Sequence, residues 1–452
     1  MDASEIQRLT NLDHAHVWHP FTQMQGWLEE SPLIIERGQD EFVYDVQGRE
    51  YIDAISSLWV TIHGHNRPEI NAAIKAQVDK ICHSTLLGQA SPPSIEVAAQ
   101  LSAIAPGRMP YTFYSDAGST ATEIALKIAY QYHHQTGNPQ RGRFAAMNLA
   151  YHGDTIGAVS VGGMDLFHGV YRDLLFQAVR LPAPYCYRCE LGLDKANCGL
   201  ACAQKAEEIL DREGETLAGL IIEPLVQGAA GIITHPDGYL RRVFEACRRN
   251  GILFIADEVA VGLGRTGKMF ACEWEDVTPD ILCLGKGLSG GYLPLAATMT
   301  TQEVFNGFLG KYEEYKTFFH GHTFTGNPVA CAAAVASLNL YNTDRTLESL
   351  QPKIRQFREL LRELEALEHV GEVRQRGFMA GVELVVDKAT RSIHPPEELV
   401  PHRVILRARE QGVIIRPLGN VIVLMPILAV RPENLTRIVE VTKDSIRKVT
   451  QG

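Results

Sequence analysis

Two apolar runs of strand length, ILFIAD at 252–257 and DILCLG at 280–285, constrain this fold more than anything else in the chain. Neither alternates apolar with polar residues, so each reads as a strand buried on both faces. Strands covered on both faces belong to sheets flanked by helices. The surrounding pattern agrees. SIEVAAQLSAIA (94–105) reads as helix and TFYS (112–115) as a short strand. TATEIALKIAYQYHH (120–134) reads as a helix whose Ala121, Ile124, Ala125, Ile128, Ala129 and Tyr132 form one apolar stripe. RFAAMN (143–148) and AGLIIEP (218–224) are further strands, and GYLRRVFEACRRNG (238–251) is a helix ending at Gly251. The alternation predicts an α/β fold with a mostly parallel sheet between helices.

The rest of the 452-residue chain is divided by the same criteria. PLIIERGQDEFVYDVQGREYIDAI (32–55) reads as two or three strands separated by Gly38 and Gly48. PEINAAIKAQVDKI (68–81) reads as a helix, with Ile70, Ala73, Ile74, Gln77 and Ile81 near helical spacing. After 330 come a long helix, a charged helix from Pro352 to about Leu367, short strands and a closing helix. The expected organisation is an N-terminal segment (1–65) packing with the small domain, a large domain (66–330) and a smaller α/β domain (331–452).

Charge and cysteine content restrict the function classes. Lys plus Arg number 43 and Asp plus Glu 53, a net charge of −10. An acidic chain without a basic run argues against nucleic acid or an anionic membrane as the main partner. The longest apolar run, near 421–430, is interrupted by Pro426, short of the about 18 residues a membrane span requires. The first residues, MDASEIQRLTNLDHAH, lack the order of a signal peptide. Nine cysteines without such a signal fit a reducing cytoplasm.

Ligands of open α/β sheets gather at the carboxyl ends of strands. One buried strand ends in Asp257-Glu258, another in Lys286, and TFYS runs into Asp116-Ala117-Gly118-Ser119-Thr120 directly before a helix. The Gly-Ser-Thr turn is either a helix cap or a phosphate seat. Lys286, between two glycines, either snorkels to solvent or is a Schiff-base lysine. Asp257 is its acid partner, or a salt-bridge or capping residue. A lysine, a carboxylate and a phosphate cup are the parts that pyridoxal phosphate needs. Two glycine motifs offer a competing class, a nucleotide-dependent enzyme. Gly262–Lys268 matches the start of a P-loop but fails at Met269, which is no Mg²⁺ ligand. Gly285–Gly290 follows a strand, but Pro294 and the β-like residues behind it do not open a helix. Both read as turns.

At these residues the chain resembles the class III pyridoxal-phosphate aminotransferases, of fold type I, over nearly its whole length. The segment from Ile255 to Ala297 is similar to that family's signature. WHPFTQM (18–24), SSLWVTIHGH (56–65), YHGDTIGAVSVGG (151–163) and HGHTFTGNPVACA (320–332) are most similar to its biotin-pathway, 7,8-diaminopelargonic acid branch. The resemblance implies conversion of 8-amino-7-oxononanoate to 7,8-diaminononanoate, with another ω-amino acid or diamine aminotransferase as the alternative. It implies that Lys286 forms the imine, Asp257 keeps the ring nitrogen protonated, and Tyr151 stacks on the ring with His152 in the same wall. Gly118 and Ser119 would hold the phosphate, and Glu223 would lie near the cofactor. His322 and Thr323 resemble the pair that reaches the phosphate from a second subunit, implying a homodimer with shared sites. Arg416 resembles the arginine that pairs with the substrate carboxylate. Trp59 and Gly321 match substrate-pocket positions. Two positions depart from the family: Leu58 where paired Trp is frequent, and Phe21 where adenosyl-using members have Tyr. With HSTLLG (83–88) and KTFFHGH (316–322), these order L-lysine ahead of S-adenosyl-L-methionine as amino donor. Intact Lys286, Asp257, Gly118 and Ser119 argue against a third class, an inactive interaction protein on the same fold.

Cys186, Cys189, Cys198 and Cys202 stand outside this account. Their C-x₂-C-x₈-C-x₃-C spacing, in the apolar-poor stretch PAPYCYRCELGLDKANCG (182–199), fits a structural zinc site. The alternative is four reduced thiols in a surface loop.

Overall fold

A computed structural model describes residues 1–451. Its centre is a seven-stranded sheet. In chain order the strands are β1 (Tyr111–Ser115), β2 (Arg143–Met147), β3 (Val179–Leu181), β4 (Leu217–Ile222), β5 (Leu253–Asp257), β6 (Ile281–Leu284) and β7 (Ala296–Thr300). Their spatial order is β1-β7-β6-β5-β4-β2-β3. All are parallel except β7, which runs antiparallel to both its neighbours. This is the expected α/β fold with a mostly parallel sheet.

The sheet is covered on both faces, and successive residues of each strand feed opposite cores. Leu253 and Ile255 pack with Ala121, Ile124, Ala125 and Ile128 of the helix Gly118–Gln135. Phe254 and Ala256 pack with Leu210 of Ala201–Glu213 and with Leu240 and Val243 of Tyr239–Arg249. Every residue of β4, β5 and β6 is buried, which is why these runs show no alternation. Asp257 ends β5, Glu223 follows β4, and Lys286 lies two residues beyond β6. The fold thus gathers polar groups at one edge of an apolar sheet.

Strands from the N-terminal and C-terminal parts of the chain meet in a second sheet. Ile35–Gln39, Phe42–Asp45 and Glu50–Asp53 form an antiparallel set, and Val413–Ile414 adds to it in parallel with Glu50–Asp53. A separate antiparallel sheet joins Val370–Arg376, Met379–Leu384, Val421–Leu424 and Arg416–Leu418.

Three details depart from the expected boundaries. Gly38 lies inside a strand, where a Cβ would stand 2.8 Å from the Cβ of His65; close packing, not a turn, requires the glycine. Gly48 does occupy a turn, with φ +78°. The helix that begins at Pro68 stops at Val78, leaving Ile81 exposed beyond it. The charged helix begins at Thr346, so Pro352 is internal. It forgoes one backbone bond there, and buried Leu350, Ile354, Phe357 and Leu361 keep the helix docked.

The cysteine-bearing insertion has no regular element between Leu181 and Ala201. It is tied down by ionic contacts instead. Glu383 accepts from the hydroxyl of Tyr185, from Arg188 Nε at 2.6 Å and from the buried Arg374. Arg374 in turn donates to the carbonyl of Gly231 at 2.7 Å. The four thiols line one cavity of about 460 Å³. Among the described residues, though, no three His, Cys, Asp or Glu side chains stand close enough together to hold a metal ion. Burial, with the neighbouring Cys186 and Cys198 thiols adding to it, pushes the Cys202 thiol up to about 11. The Cys198 thiol faces the Lys195 carbonyl.

Phe254 tests the sheet's core. It is wholly buried and packs edge-on to Phe244, with ring centres 5.3 Å apart. Phe254→Ala is expected to cost about 3–5 kcal/mol, read as an early denaturation midpoint. The cofactor-site residues on the strand's other end remain in place.

Candidate active site

The polar groups at the sheet edge surround a cavity of about 180 Å³. Its floor is the pair Asp257 and Lys286, delivered by the adjacent parallel strands β5 and β6. Lys286 keeps some exposure, through the cavity, and its backbone is left-handed with φ +40°. Burial of the amine lowers its pKa, and the carboxylates of Asp257 and Glu223 act against that shift. An amine in this setting is more readily neutral, hence more nucleophilic, than a surface lysine. Its Nζ lies 5.3 Å from the ring centre of Trp59.

Asp257 is fixed on both oxygens. Oδ2 lies 2.7 Å from His152 Nδ1, and Oδ1 accepts from the Val259 amide at 3.1 Å. His152 is buried, and its Nε2 has no partner among the described residues. Glu223 accepts from the amides of Tyr151 at 3.0 Å and Gly228 at 2.9 Å. Burial raises its pKa to about 7. Tyr151 forms a wall of the cavity, with its hydroxyl donating to Asp154 at 2.7 Å. Burial and that carboxylate keep the phenol firmly protonated.

The remaining wall is a helix start. Gly118 and Ser119 open the helix Gly118–Gln135, and Ala117 at the cap position provides no side-chain acceptor. The Gly118 and Ser119 amides and the positive end of the helix dipole therefore face the cavity, a seat for an anion, while the Thr120 amide is bonded to the Ala117 carbonyl at 3.1 Å. Close approach shapes it. A Cβ on Gly118 would meet Val259 Cγ1 at 2.5 Å, and one on Gly153 would meet Ser119 Cβ at 2.2 Å.

Of the residues singled out from sequence, Lys286, Asp257, Tyr151, His152, Gly118, Ser119, Glu223 and Trp59 line this one cavity. Phe21, Leu58, Gly321, His322, Thr323 and Arg416 do not. Phe21 stands 5.5 Å edge-on from Phe167, which is 6.3 Å from Tyr151, so it belongs to an outer aromatic rim. Leu58 is exposed. Gly321 and Thr323 are exposed, and His322 Nδ1 lies 2.7 Å from Asp116 Oδ2 on the outside of the anion seat. Arg416 is half-buried; burial lowers its pKa, and Tyr151 acts against that shift. The two glycine motifs carry no nucleotide site. Residues 262–268 form a succession of turns, and 285–290 a single 3₁₀ turn; neither opens an α-helix.

Comparison with known proteins agrees with this geometry. Residues 24–446 match the model of the family Aminotransferase class-III. The chain is 53% identical over 451 residues to the adenosylmethionine-8-amino-7-oxononanoate aminotransferase of Nitratidesulfovibrio vulgaris, covering 99% of this chain and 83% of that protein. The crystal structure of the enzyme of that name from Methanocaldococcus jannaschii superposes with TM-score 0.94 at 45% identity, over 98% of this chain and 99% of that one. A PLP-bound amine transaminase from an uncultivated Pseudomonas species superposes with TM-score 0.92 at 36% identity, over 96% and 99%. The chain belongs to the class III aminotransferase family.

Class III aminotransferases are pyridoxal-phosphate enzymes that act on small molecules. The cavity fits that group by its own chemistry. It offers an amine for the aldehyde, a carboxylate for the ring nitrogen, an aromatic face for the ring and an amide seat for the phosphate.

Sequence reasoning missed four contributors. Asp154 is hydrogen-bonded to Tyr151 and was signalled only by lying three residues after it. Val259 presses on Gly118. Glu258, wholly buried, accepts from the amides of Ala271 at 2.6 Å and Cys272 at 2.8 Å, bracing the loop behind Asp257. Arg265, inside a glycine motif read as a turn, is buried and donates to the carbonyls of Pro426 at 2.7 Å and Thr61 at 2.9 Å.

The close contact at Gly153 is directly testable. Its φ of +114° already disfavours a side chain, and an added methyl would displace Ser119. Gly153→Ala is expected to weaken cofactor binding by roughly tenfold or more while the protein stays folded. Titrating the apo-protein with cofactor and following the visible band measures the loss.

Proposed function

We propose that this chain transfers an amino group to 8-amino-7-oxononanoate, forming 7,8-diaminononanoate, the biotin-pathway reaction for which its full-length relatives are named. The observation that carries the chemistry is the buried Lys286 amine beside Asp257 on adjacent strand ends. Bound pyridoxal phosphate supplies an electron sink for the carbon that bears the amine. Lys286 would hold its aldehyde carbon, and Gly118 and Ser119 its phosphate. Asp257, oriented by His152, would hold a proton at the ring nitrogen. Tyr151 would cover one ring face, and Glu223 fixes the Tyr151 backbone.

With substrate bound, Lys286 Nζ would take the proton from the amine-bearing carbon and return it on the cofactor side. Low pKa suits this work, because a neutral amine accepts the proton without prior deprotonation. Arg416, on the Tyr151 side, pairs with the substrate carboxylate. Gly321, His322 and Thr323, outside their own chain's cavity, fit a homodimer in which each subunit completes the other's site.

S-adenosyl-L-methionine is the donor named in the relatives at 53% and 45% identity, and we place it first. L-Lysine is the second reading. It is favoured by the rim: Phe21 offers no hydroxyl, and Leu58 replaces a stacking surface. The first half-reaction separates the two. Mixed with each donor separately, the holoenzyme is expected to lose its visible band faster with S-adenosyl-L-methionine. Rapid loss with lysine and none with the adenosyl donor would reverse the order.

Lys286→Ala is expected to abolish turnover while cofactor still binds through its phosphate; near-wild-type turnover without added amine would refute the assignment. Arg416→Ala is expected to raise KM for the keto acid by roughly 10- to 150-fold, the loss of about 1.5–3 kcal/mol from a charge-assisted pair. An equal effect on a decarboxylated acceptor analogue would make Arg416 structural.

A further inference from the structure

Four consecutive residues without a glycine, Ser56 to Trp59, have positive φ: 49°, 46°, 69° and 71°. They form one turn of left-handed helix, with the Trp59 amide bonded to the Ile55 carbonyl at 2.8 Å and the Val60 amide to Ser56 at 2.9 Å. Each Cβ in such a turn crowds its own carbonyl, so single residues adopt this conformation and runs do not. A run persists only where its surroundings over-determine it.

Here the surroundings converge on Asp53, the last residue of its strand and 3% exposed. Oδ1 accepts from the Ser57 amide at 3.0 Å, and Oδ2 accepts from the Ser57 hydroxyl at 2.7 Å. Oδ2 also meets His65 Nε2 at 2.9 Å. Burial opposes ionisation of this carboxyl, but the bonds from His65 and Ser57 outweigh it and hold its pKa below the ordinary value. A second tie, Ser56 Oγ to the Met425 carbonyl at 2.7 Å, fixes the start of the turn. The turn delivers Trp59 to the cavity wall, 6% exposed, its ring above Lys286 Nζ and its Nε1 without a partner among the described residues. On its other side the ring abuts Gly228, where a Cβ would stand 3.2 Å away.

We propose that Asp53 is a positioning residue for the substrate pocket: it clamps the left-handed turn that sets Trp59 against Lys286. Without the clamp the turn relaxes to ordinary backbone, and the indole leaves the wall. This rests on the transamination reading above. It assigns a role to a residue that touches neither cofactor nor substrate.

The test is Asp53→Asn in the holoenzyme, with Ser57→Ala as a milder break of the same clamp. Four quantities are read: the denaturation midpoint, the circular dichroism of the cofactor's visible band, and KM and kcat for 8-amino-7-oxononanoate. Both variants are expected to bind cofactor with an altered dichroic band. KM is expected to rise roughly tenfold in Asp53→Asn, with kcat changed by less than about threefold. Adding Ser57→Gly to Asp53→Asn is expected to recover part of the loss, because glycine holds positive φ unaided. An unchanged band and unchanged KM in either variant that folds would overturn the proposal. So would equal falls in kcat and midpoint with KM constant, the mark of a merely structural residue. If the wild-type protein fails to turn over this ketone, the functional reading falls; the dichroic band still decides the role of Asp53.

Discussion

Placing an amine and a carboxylate together at the ends of two buried, largely apolar strands is the constraint on which the rest of the site depends. β5 and β6 are buried throughout, so nothing along them can compensate a charge. Burying either group alone would be costly. Together Asp257 and Lys286 offset part of each other's desolvation, and His152 and the Val259 amide occupy the carboxylate further. The compensation is incomplete at the lysine, whose pKa stays lowered. That residue of uncompensated burial is what makes the amine a usable base and nucleophile.

Around this pair the protein relies on close backbone approach and on braced loops. Gly118 and Gly153 leave no room for a methyl group between the helix start, Val259 and the wall bearing Tyr151. Glu223 and Glu258 each receive two backbone amides, so two buried carboxyls serve as loop clamps. Both are pushed up to about 7 by burial. Arg265 braces the far side by donating to two carbonyls from segments 204 and 161 positions away in sequence. Many polar contacts at this edge thus maintain geometry, leaving few groups free for chemistry.

Much of the site was legible because strand ends are legible. The apolar runs stop where the sheet stops, so Asp257, Lys286 and the Gly118-Ser119 turn could be read as neighbours before any coordinates. The glycine motifs were read as turns because no helix pattern followed them, and the backbone agrees. The cysteine insertion was less legible: spacing reports which thiols are near in sequence, not how the loop that carries them is anchored. Its anchor is Glu383, 181 residues beyond Cys202, with Arg374 nine residues before that glutamate.

Local sequence determined the α/β class, the order of the buried strands and the residues at their carboxyl ends, because burial on two faces and helical periodicity are properties of consecutive residues. Tertiary structure alone decided which of those ends share a cavity, that Trp59 rather than Leu58 faces Lys286, and that Phe21, Gly321, His322, Thr323 and Arg416 stand outside the inner wall. It also decided the left-handed turn at 56–59, which no propensity favours and which a carboxylate outside the run sustains. Those outcomes depend on contacts between residues far apart in sequence, and a linear pattern holds no record of such distances.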